Sequence, residues 1–443
     1  MIANRNARYI KITFPADWIQ HRVDRLIQST EKEKDYGDTS SFLSCIHFRL
    51  EKDLKNDVDI LEMSTQSMQS TTYVHVDDLD VEGRGEFLVS ATEFKNIISN
   101  FPEDSTITLT HFSWATDEHE RGEILITTDD DSMSFIIMDV PIESASAMPK
   151  AEKKIPKRAP YITVDVQEAR KALKNVSGMA TKQDSDSIAS QNPLTGCGMY
   201  IHQEGMTMFT MSMHTALFTI TSDDIKTTKT KTPPCLFADI PTLTSTLGAF
   251  ADNAIVTFHT DGTKTLYLED DDTIVSMNAI RAVMGTPGYS DPDSISADQI
   301  FAAYKNFSVA KKCTLELDFN ASSFYNALGR ARDDFDDETV LDVTGSQAEI
   351  KSFTKNRVVF RQDIPVSAQW HVEGDRKTRL VLNTRTLKKT RPFTGDSVHI
   401  AVVPKDPSTP SLTALMIYDP EDFDDENPDN FYMITSLKPL HEL

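Results

Sequence analysis

Hydrophobic and polar positions follow the same order three times along this chain. Near the start, the alternating segment from Tyr9 to Phe14 predicts a strand, and an apolar stripe over residues 17–29, with Asp17 as its N-cap, predicts a helix. More alternating segments follow, and the capping-box pattern of Ser90 and Glu93 predicts a second, shorter helix. The order of strand, helix, strands, helix and strands then recurs twice. This recurrence indicates a triplicated unit, each copy about the size of one domain.

The predicted landmarks recur at nearly constant intervals. Because each unit holds two helices and many strands, the sequence predicts an α+β fold with antiparallel sheets. A Pro- and Lys-containing segment, residues 151–160, reads as an extended connector. The predicted domains are residues 1–150, 160–300 and 311–443.

The charge is unbalanced, with 68 acidic against 45 basic residues and a net charge of −23. Such a charge argues against general adhesion to polyanions, although it permits a local basic surface. The cysteines show no paired spacing, which argues against a disulfide framework or a zinc knuckle and favours a reducing compartment. Because no long apolar segment is found, we expect a soluble, cytoplasmic protein. The cysteines are Cys45, Cys197, Cys235 and Cys313.

Motifs of common enzymes are missing from the sequence. It has no glycine-rich phosphate loop, no strand-linked G-x-G-x-x-G and no G-x-S-x-G elbow. His111 and residues 117–120 could together form a metal site, but they lie in a polar segment that is predicted to be a solvated loop tip. The acidic runs 129–131, 269–272 and 421–426 lack the spacing of a calcium loop and are predicted to be exposed. We therefore predict no catalytic residues, no cofactor and no metal; a β-rich hydrolase with a non-obvious site is the enzymatic alternative.

Four segments carry a resemblance to a known family. In their order and spacing, on top of the threefold repeat, they resemble the bacterial DNA polymerase III β subunit, the sliding clamp. The likeness extends over nearly the whole chain. The segments are residues 86–102, 192–197, 285–292 and 431–440.

The resemblance implies a fold of three repeated DNA-clamp domains and a function without catalysis. Two chains would join head to tail into a homodimer ring around duplex DNA, with antiparallel sheets outside and two helices per domain lining the hole. The implied partners are double-stranded DNA without sequence preference, a DNA polymerase and a clamp loader, with no membrane. The chain is divergent, which favours a phage, plasmid or unusual bacterial processivity factor in a bacterial cell or phage-infected host. The alternative is a clamp-fold protein-interaction module that no longer encircles DNA.

Basic residues on the predicted helices are the candidates for DNA contact. Cations that face phosphates attract DNA without reading its sequence. The strongest cluster has four bases within residues 385–391, whereas the second helix of the second repeat has none. The alternative is that these are ordinary solvated helix faces. The candidates are Arg22, Arg25, Lys95, Arg170, Lys171, Lys174, Lys182, Arg330, Arg332, Arg385, Lys388, Lys389 and Arg391.

The resemblance also implies an apolar groove for peptides from partner proteins. Methionines have replaced part of the family signature around His214, and methionine makes an adaptable apolar surface. The alternative is that His214 is structural and the methionines belong to the core. The predicted lining is Leu194, Met211, His214, Ala216, Leu217, Pro292, Met433, Thr435 and Ser436.

Overall fold

The structure is a computed structural model, and the chain divides by its internal contacts into two compact units. The first unit comprises Met1–Arg170 with Pro241–Ala279, and the second comprises Lys171–Ile240 with Ile280–Leu443. The three predicted domain boundaries stay a prediction. The structure describes residues 8–30, 42–53, 57–67, 69–77, 79–115, 120–140, 154–180, 195–210, 215–227, 235–260, 264–280, 313–331, 338–354, 357–372, 376–404, 413–418 and 430–435.

The first repeat begins with a strand and a helix, as the alternation predicts. Its elements are β1 (Arg8–Pro15), α1 (Ala16–Ile27), a 3-10 turn (Phe42–Ser44), β2 (Cys45–Asp53), β3 (Val58–Gln66), β4 (Ser70–Val76), β5 (Asp80–Gly83), β6 (Gly85–Ser90), α2 (Ala91–Ile98), β7 (Thr106–Ala115), β8 (Glu120–Thr128) and β9 (Ser134–Met138).

The second repeat has the same order of elements within the described residues. They are β10 (Tyr161–Asp165), α3 (Val166–Ser177), β11 (Cys197–His202), β12 (Gly205–Phe209), β13 (Thr215–Thr221), β14 (Ile225–Lys226), β15 (Leu236–Ala238), α4 (Ile240–Gly248), β16 (Ile255–Thr260), β17 (Thr265–Asp270) and β18 (Thr273–Asn278).

The third repeat closes the chain in the same order. Its elements are β19 (Leu315–Asn320), α5 (Ala321–Arg330), β20 (Glu338–Thr344), β21 (Gln347–Thr354), β22 (Arg357–Pro365), β23 (Ser367–Trp370), β24 (Lys377–Asn383), α6 (Thr384–Lys388), a 3-10 turn (Arg391–Phe393), β25 (Ser397–Pro404), β26 (Thr413–Tyr418) and β27 (Asn430–Thr435).

Strands of different repeats join into continuous antiparallel sheets within each unit. The first unit has the sheet β5-β1-β7-β8-β9 and the strand order β10-β16-β17-β18-β4-β3-β2-β6. In the latter, β18 of the second repeat pairs with β4 of the first. The second unit has the sheets β15-β11-β12-β13-β27-β26-β25-β19-β23 and β22-β21-β20-β24. There β27 of the third repeat pairs with β13 of the second.

Helix α1 shows how the apolar pattern fixes which side of a helix is buried. Ala16, Ile19, Val23 and Leu26 are buried at helical spacing against the sheets of the first repeat. The prediction that Asp17 caps this helix was wrong. Helix α1 begins one residue earlier and has no side-chain cap; instead, the backbone N–H of Ala16 donates to the carbonyl oxygen of Ser105 at 2.9 Å. The carbonyl oxygen of Ser105 thus accepts a hydrogen bond from a backbone N–H that has no partner within the helix.

Other helices do begin with a side-chain cap. The Ser90 hydroxyl accepts from the N–H of Glu93, which confirms the predicted helix start. Equivalent bonds from Asn320 and Asn383 begin α5 and α6. Helix α6 ends at Lys388, before the last bases of the 385–391 cluster, and a 3-10 turn containing Pro392 follows. Pro392 has no backbone N–H to donate to the carbonyl oxygen of Lys388, so the α-helical hydrogen-bond pattern cannot continue through it.

The predicted loop around His111 was wrong for the residues that the structure describes. His111 lies in β7 and is 4% exposed. Its Nε2 atom lies 2.9 Å from Asp139, whose other oxygen accepts the backbone N–H of Gly122. His111 is therefore a buried, hydrogen-bonded residue of the first repeat; Asp117 to His119 lie outside the described residues.

The cysteines are free thiols, and three of them are buried. Burial raises the pKa of Cys197 and Cys235 to about 12. Such thiols stay protonated and are poor nucleophiles at neutral pH. Cys313, at the start of β19, is the half-exposed member of the set.

Candidate nucleic-acid and subunit interfaces

Helix α3 presents two of the predicted DNA-binding lysines to solvent. Its buried side is formed by small and aliphatic residues such as Ala169 and Leu173, while Lys171 and Lys174 are exposed. The Nζ atom of Lys171 lies 6.0 Å from the centre of the Phe218 ring. Two cations three residues apart lie on one face of a helix, an arrangement that suits contact with neighbouring phosphates.

The α6 region carries the densest predicted cluster of bases. Thr384, Thr386 and Leu387 are buried, and the side chains between and after them point outward. The exposed bases are Arg385, Lys389 and Arg391, with Lys388 half-buried. Lys389 donates to the carbonyl oxygen of Gly178, and the Arg391 guanidinium lies 5.8 Å from the ring of Tyr325. The segment therefore presents a basic surface whose backbone is anchored by its threonines and Leu387.

Two further candidates, Arg22 and Arg25, form ion pairs with the acidic run 269–272 at the end of β17. Arg22 forms an ion pair with Asp272 at 2.5 Å, and Arg25 forms one with Asp270 at 2.7 Å. Only 12% of the Asp270 side chain and 17% of the Asp272 side chain are exposed, so the prediction of an exposed acidic loop was wrong for both. Burial lowers the pKa of Arg25 and raises that of Asp270, while their mutual attraction opposes both shifts.

These ion pairs attach α1 to strands of the second repeat. The Arg25 guanidinium also lies 4.7 Å from the ring of Phe250 and donates to the hydroxyl of Thr273 at 3.2 Å. The contacts give Arg22 and Arg25 a structural role inside the first unit. DNA contact by either residue stays a prediction.

Arg170 is also occupied, because its guanidinium caps the end of α4. It donates to the carbonyl oxygens of Leu247 at 2.8 and 2.9 Å and of Phe250 at 2.5 Å, and it pairs with Asp252 at 2.5 Å. The last carbonyls of a helix have no partner within the helix. A cation there donates hydrogen bonds to these carbonyl oxygens and interacts favourably with the negative end of the helix dipole.

We expect Arg170→Gln to lower the free energy of unfolding by about 2 kcal/mol, because hydrogen bonds from a charged donor are each worth about 1.5–3 kcal/mol. Chemical denaturation measures the change. Lys171→Gln, one residue along and exposed, is the matched control and should shift stability by less than about 0.5 kcal/mol. Equal stability of the two variants would contradict the capping role.

Of the other basic candidates that the structure describes, Lys95 is half-buried and Arg330 is exposed. Lys95 pairs with Asp24 at 2.7 Å, and Arg330 donates to Gln362 at 3.4 Å. Lys182 and Arg332 lie outside the described residues. Weak surface pairs of this kind exchange readily for phosphate contacts.

The structure describes only part of the predicted peptide groove. The backbone of β13 pairs with β27 so that Thr215 lies opposite Met433, which brings two of the predicted segments together. Ala216 and Leu217, on β13, are completely buried. The lining of a groove by these residues stays a prediction. Leu194, Met211, His214, Pro292 and Ser436 lie outside the described residues, as do the side chains of Met433 and Thr435.

Two sheet edges stand out that the sequence reading did not identify. Strand β9 ends one sheet of the first unit, and β22 ends one sheet of the second. Four of the exposed large hydrophobic residues in the described chain lie on these two strands: Ile136 (66%), Met138 (50%), Val358 (50%) and Val359 (49%). The signal was available in β9, where the run from Phe135 to Met138 is apolar on both faces. A long, apolar, unpaired edge is a template for pairing with another strand.

Strands β9 and β22 also occupy the places in their repeats at which the other repeats pair with one another. Strand β18 is the last of the second repeat and pairs with β4; β27 is the last of the third repeat and pairs with β13. Strand β9 is the last of the first repeat, and β22 holds in the third repeat the place that β4 and β13 hold in the others. Within the described residues, β9 and β22 are therefore the two strands at junction positions that pair with no strand of another repeat.

Comparison with known proteins identifies the fold. No family profile matches the chain, and no curated protein matches it. No helix in the described residues has the length and apolar character needed to cross a membrane. Solved structures match over almost the whole chain. A DNA polymerase III β subunit from Pseudomonas aeruginosa is 12% identical with a TM-score of 0.67, covering 97% of this chain and 100% of its own.

Other bacterial clamps match equally well. The β subunit from Thermotoga maritima is 12% identical with a TM-score of 0.66, covering 98% of this chain and 100% of its own. The one from Streptococcus pyogenes is 13% identical with a TM-score of 0.65, covering 97% and 100%. Together with the repeated order of strands and helices, these matches confirm the α+β clamp architecture. The chain has the fold of the DNA polymerase III β subunit, the sliding clamp.

Proposed function

We propose that this protein is a sliding clamp, a non-enzymatic processivity factor that encircles duplex DNA as a head-to-tail homodimer. The observation that carries the proposal is the pair of free apolar edges, β9 and β22. Three repeats can form three strand pairings between them, and two of these, β18 with β4 and β27 with β13, lie inside one chain. The third would form between β9 of one chain and β22 of another. A contact between two different surfaces closes a ring when its rotation closes.

The bases of α3 and α6 would supply attraction for the DNA inside such a ring. A cationic wall holds phosphates without reading bases and lets the protein slide. The net charge of −23 would keep DNA off the other surfaces. In this proposal the DNA polymerase and the clamp loader bind the ring from outside, and the duplex is held by topology rather than by affinity.

Topological retention is the direct test of the proposal. The protein is equilibrated with nicked circular DNA, passed through a sizing column in high salt, and then treated with an enzyme that cuts the circle once. We expect retention on the circle and release after the cut, since salt removes electrostatic binding but leaves a closed ring in place. Equal loss from circular and linear DNA would contradict encirclement.

Neutralising the α6 cluster is expected to weaken DNA contact without affecting the ring. For Arg385→Gln with Lys388→Gln we expect the slope of log K against log salt to fall by about 2, since each phosphate contact contributes about 0.9. A filter-binding titration over several salt concentrations measures the slope. The control is Arg376→Gln with Lys377→Gln, which removes the same charge from an exposed stretch at β24. Identical slopes for the two double variants would show that α6 does not contact DNA.

The second candidate is a clamp-fold interaction module that does not encircle DNA. The observation that favours it is that Arg22, Arg25 and Arg170 form ion pairs with aspartates of the same chain. These three predicted cations are therefore less available to bind DNA phosphates. Such a module would dimerise or bind partners yet show the same low retention on circular and linear DNA. The retention experiment therefore separates the two functions.

A further inference from the structure

Three side chains of different ligand classes meet where β19 begins and β23 ends. They are the thiol of Cys313, the carboxylate of Glu316 and the imidazole of His371, and their ligand atoms all lie within 4.8 Å of one another. The Nε2 atom of His371 lies 3.4 Å from a carboxylate oxygen of Glu316. Thiolate, imidazole and carboxylate are the groups by which proteins bind zinc.

The backbone around this cluster is fixed from several directions. Strands β19 and β23 are antiparallel, with Leu315 opposite Trp370. The N–H of His371 donates to the carbonyl oxygen of Thr314 at 3.1 Å, and the N–H of Thr314 donates to Val402 of β25 at 2.9 Å. The indole N–H of Trp370 donates to the carbonyl oxygen of Gly345 at 2.9 Å, which holds the residue beside His371. Glu316 lies within β19, and these hydrogen bonds hold the residues just outside the two strands, Cys313 and His371, close to it.

The distances suit a small tetrahedral cation. Zinc bonds of about 2.0–2.3 Å place neighbouring ligand atoms about 3.3–3.6 Å apart. The separation between His371 and Glu316 already falls in that range. The sulfur of Cys313 lies within 4.8 Å of both of these ligand atoms. Because Cys313 and Glu316 are half-buried and His371 is exposed, a cation has access from solvent.

We propose that Cys313, Glu316 and His371 bind a zinc ion, with water in the fourth position. A thiolate and a carboxylate together balance the charge of Zn²⁺, and the neutral imidazole completes a mixed set that zinc accepts. The sequence analysis predicted no metal site. Cys313 and His371 are far apart along the chain, so their spacing matches no known ligand motif. The site does not depend on the clamp function.

Zinc at this site would link the start of β19 to the end of β23 through metal–ligand bonds. A metal that binds the folded state stabilises it in proportion to the free metal concentration. The added stability would belong to the sheet that contains both β19 and β27. The alternative is that Glu316 and His371 form an ordinary surface ion pair, which would give no response to metal.

Cobalt and zinc titrations of the metal-free full chain test the proposal. We expect Co²⁺ to produce a thiolate-to-cobalt charge-transfer band in the near ultraviolet, and Zn²⁺ to displace it with one equivalent. Cys313→Ser should abolish the band. Glu316→Gln and His371→Ala should each weaken zinc binding by at least about 100-fold, because losing even an outer-sphere partner costs about 10–100-fold and both residues are direct ligands. His21→Ala, on the exposed side of α1, is the control and should leave the affinity unchanged.

A second readout does not depend on Cys313→Ser folding. Zinc should protect Cys313 of the wild-type chain from alkylation, while the other cysteines are already shielded by burial. His371→Ala changes only an exposed side chain and should remove the protection without changing the thermal midpoint of the metal-free protein. A missing cobalt band, a band that persists in Cys313→Ser, or zinc protection that survives His371→Ala would each overturn the site.

Discussion

Replacing Asp270 by alanine is expected to lower the free energy of unfolding by about 3–5 kcal/mol, the usual cost of removing one partner of a buried ion pair. The partner is Arg25, which is 8% exposed and lies 2.7 Å from the Asp270 carboxylate. Without Asp270 the guanidinium keeps its contact with the Thr273 hydroxyl but loses its closest negative charge. The Arg25 Nε atom is buried and has no hydrogen-bond partner among the described residues, so the site has little capacity to compensate.

Denaturant unfolding of a set of variants measures this cost. Asp271→Ala is the matched control, since Asp271 lies between the two paired aspartates and is exposed; it should change stability by less than about 0.5 kcal/mol. Arg25→Met combined with Asp270→Ala should recover part of the loss, because the double variant leaves no buried charge unpaired. An Asp270→Ala variant as stable as Asp271→Ala would show that Arg25 is hydrated rather than buried in solution.

The architecture was predictable because strand and helix periodicities are local properties. For example, the alternating positions Ile10, Ile12 and Phe14 of β1 are buried, as are Ile19, Val23 and Leu26 at helical spacing in α1. The short strands β5, β14 and β23 were missed, because two to four residues carry too little alternation to be recognised. They recur at the same place in each repeat, so a strand found in one copy would have indicated the other two.

The candidate interfaces were predicted less completely, because sequence shows a charge but not its counter-charge. Arg22 finds Asp272 at a separation of 250 residues, and Arg170 finds Asp252 at 82. Both arginines look like free helix-face bases until the fold places those aspartates beside them. Lys171, by contrast, is exposed on the side of α3 opposite its buried residues, which the apolar spacing alone predicts. Where a helix has a clear buried side, the sequence also predicts which cations face solvent.

Ile136→Lys, on β9, and Val359→Lys, on β22, are each expected to convert the proposed dimer into a monomer at micromolar concentration. Lysine on an edge strand is a natural device against strand pairing, because pairing would bury an unpaired charge. In a head-to-tail ring every junction joins one β9 edge to one β22 edge, so a single substitution weakens both junctions. We expect the dissociation constant to rise by 100-fold or more, which corresponds to about 2.7 kcal/mol.

Light scattering coupled to size exclusion gives the mass of each variant. Ile255→Lys is the matched control, since Ile255 is an exposed isoleucine (62%) in β16, which has strands on both sides. It adds the same charge to an equally exposed apolar position away from both edges, and it should leave the wild-type mass unchanged. A wild-type chain that is itself monomeric would remove the basis for a ring.

Mixing the two edge variants separates a head-to-tail contact from a symmetric one. The Ile136→Lys chain retains an intact β22 edge, and the Val359→Lys chain retains an intact β9 edge. If the junction is β9 with β22, each variant alone is monomeric, and the mixture forms a heterodimer through its one unmodified junction. If instead β9 pairs with a second β9, the Val359→Lys chain remains a dimer by itself and mixing adds nothing. A heterodimer held by one junction would be an open chain of domains, so it should also fail to stay on circular DNA in high salt. Dimerisation and retention would then depend on the same two edges, as topological closure requires.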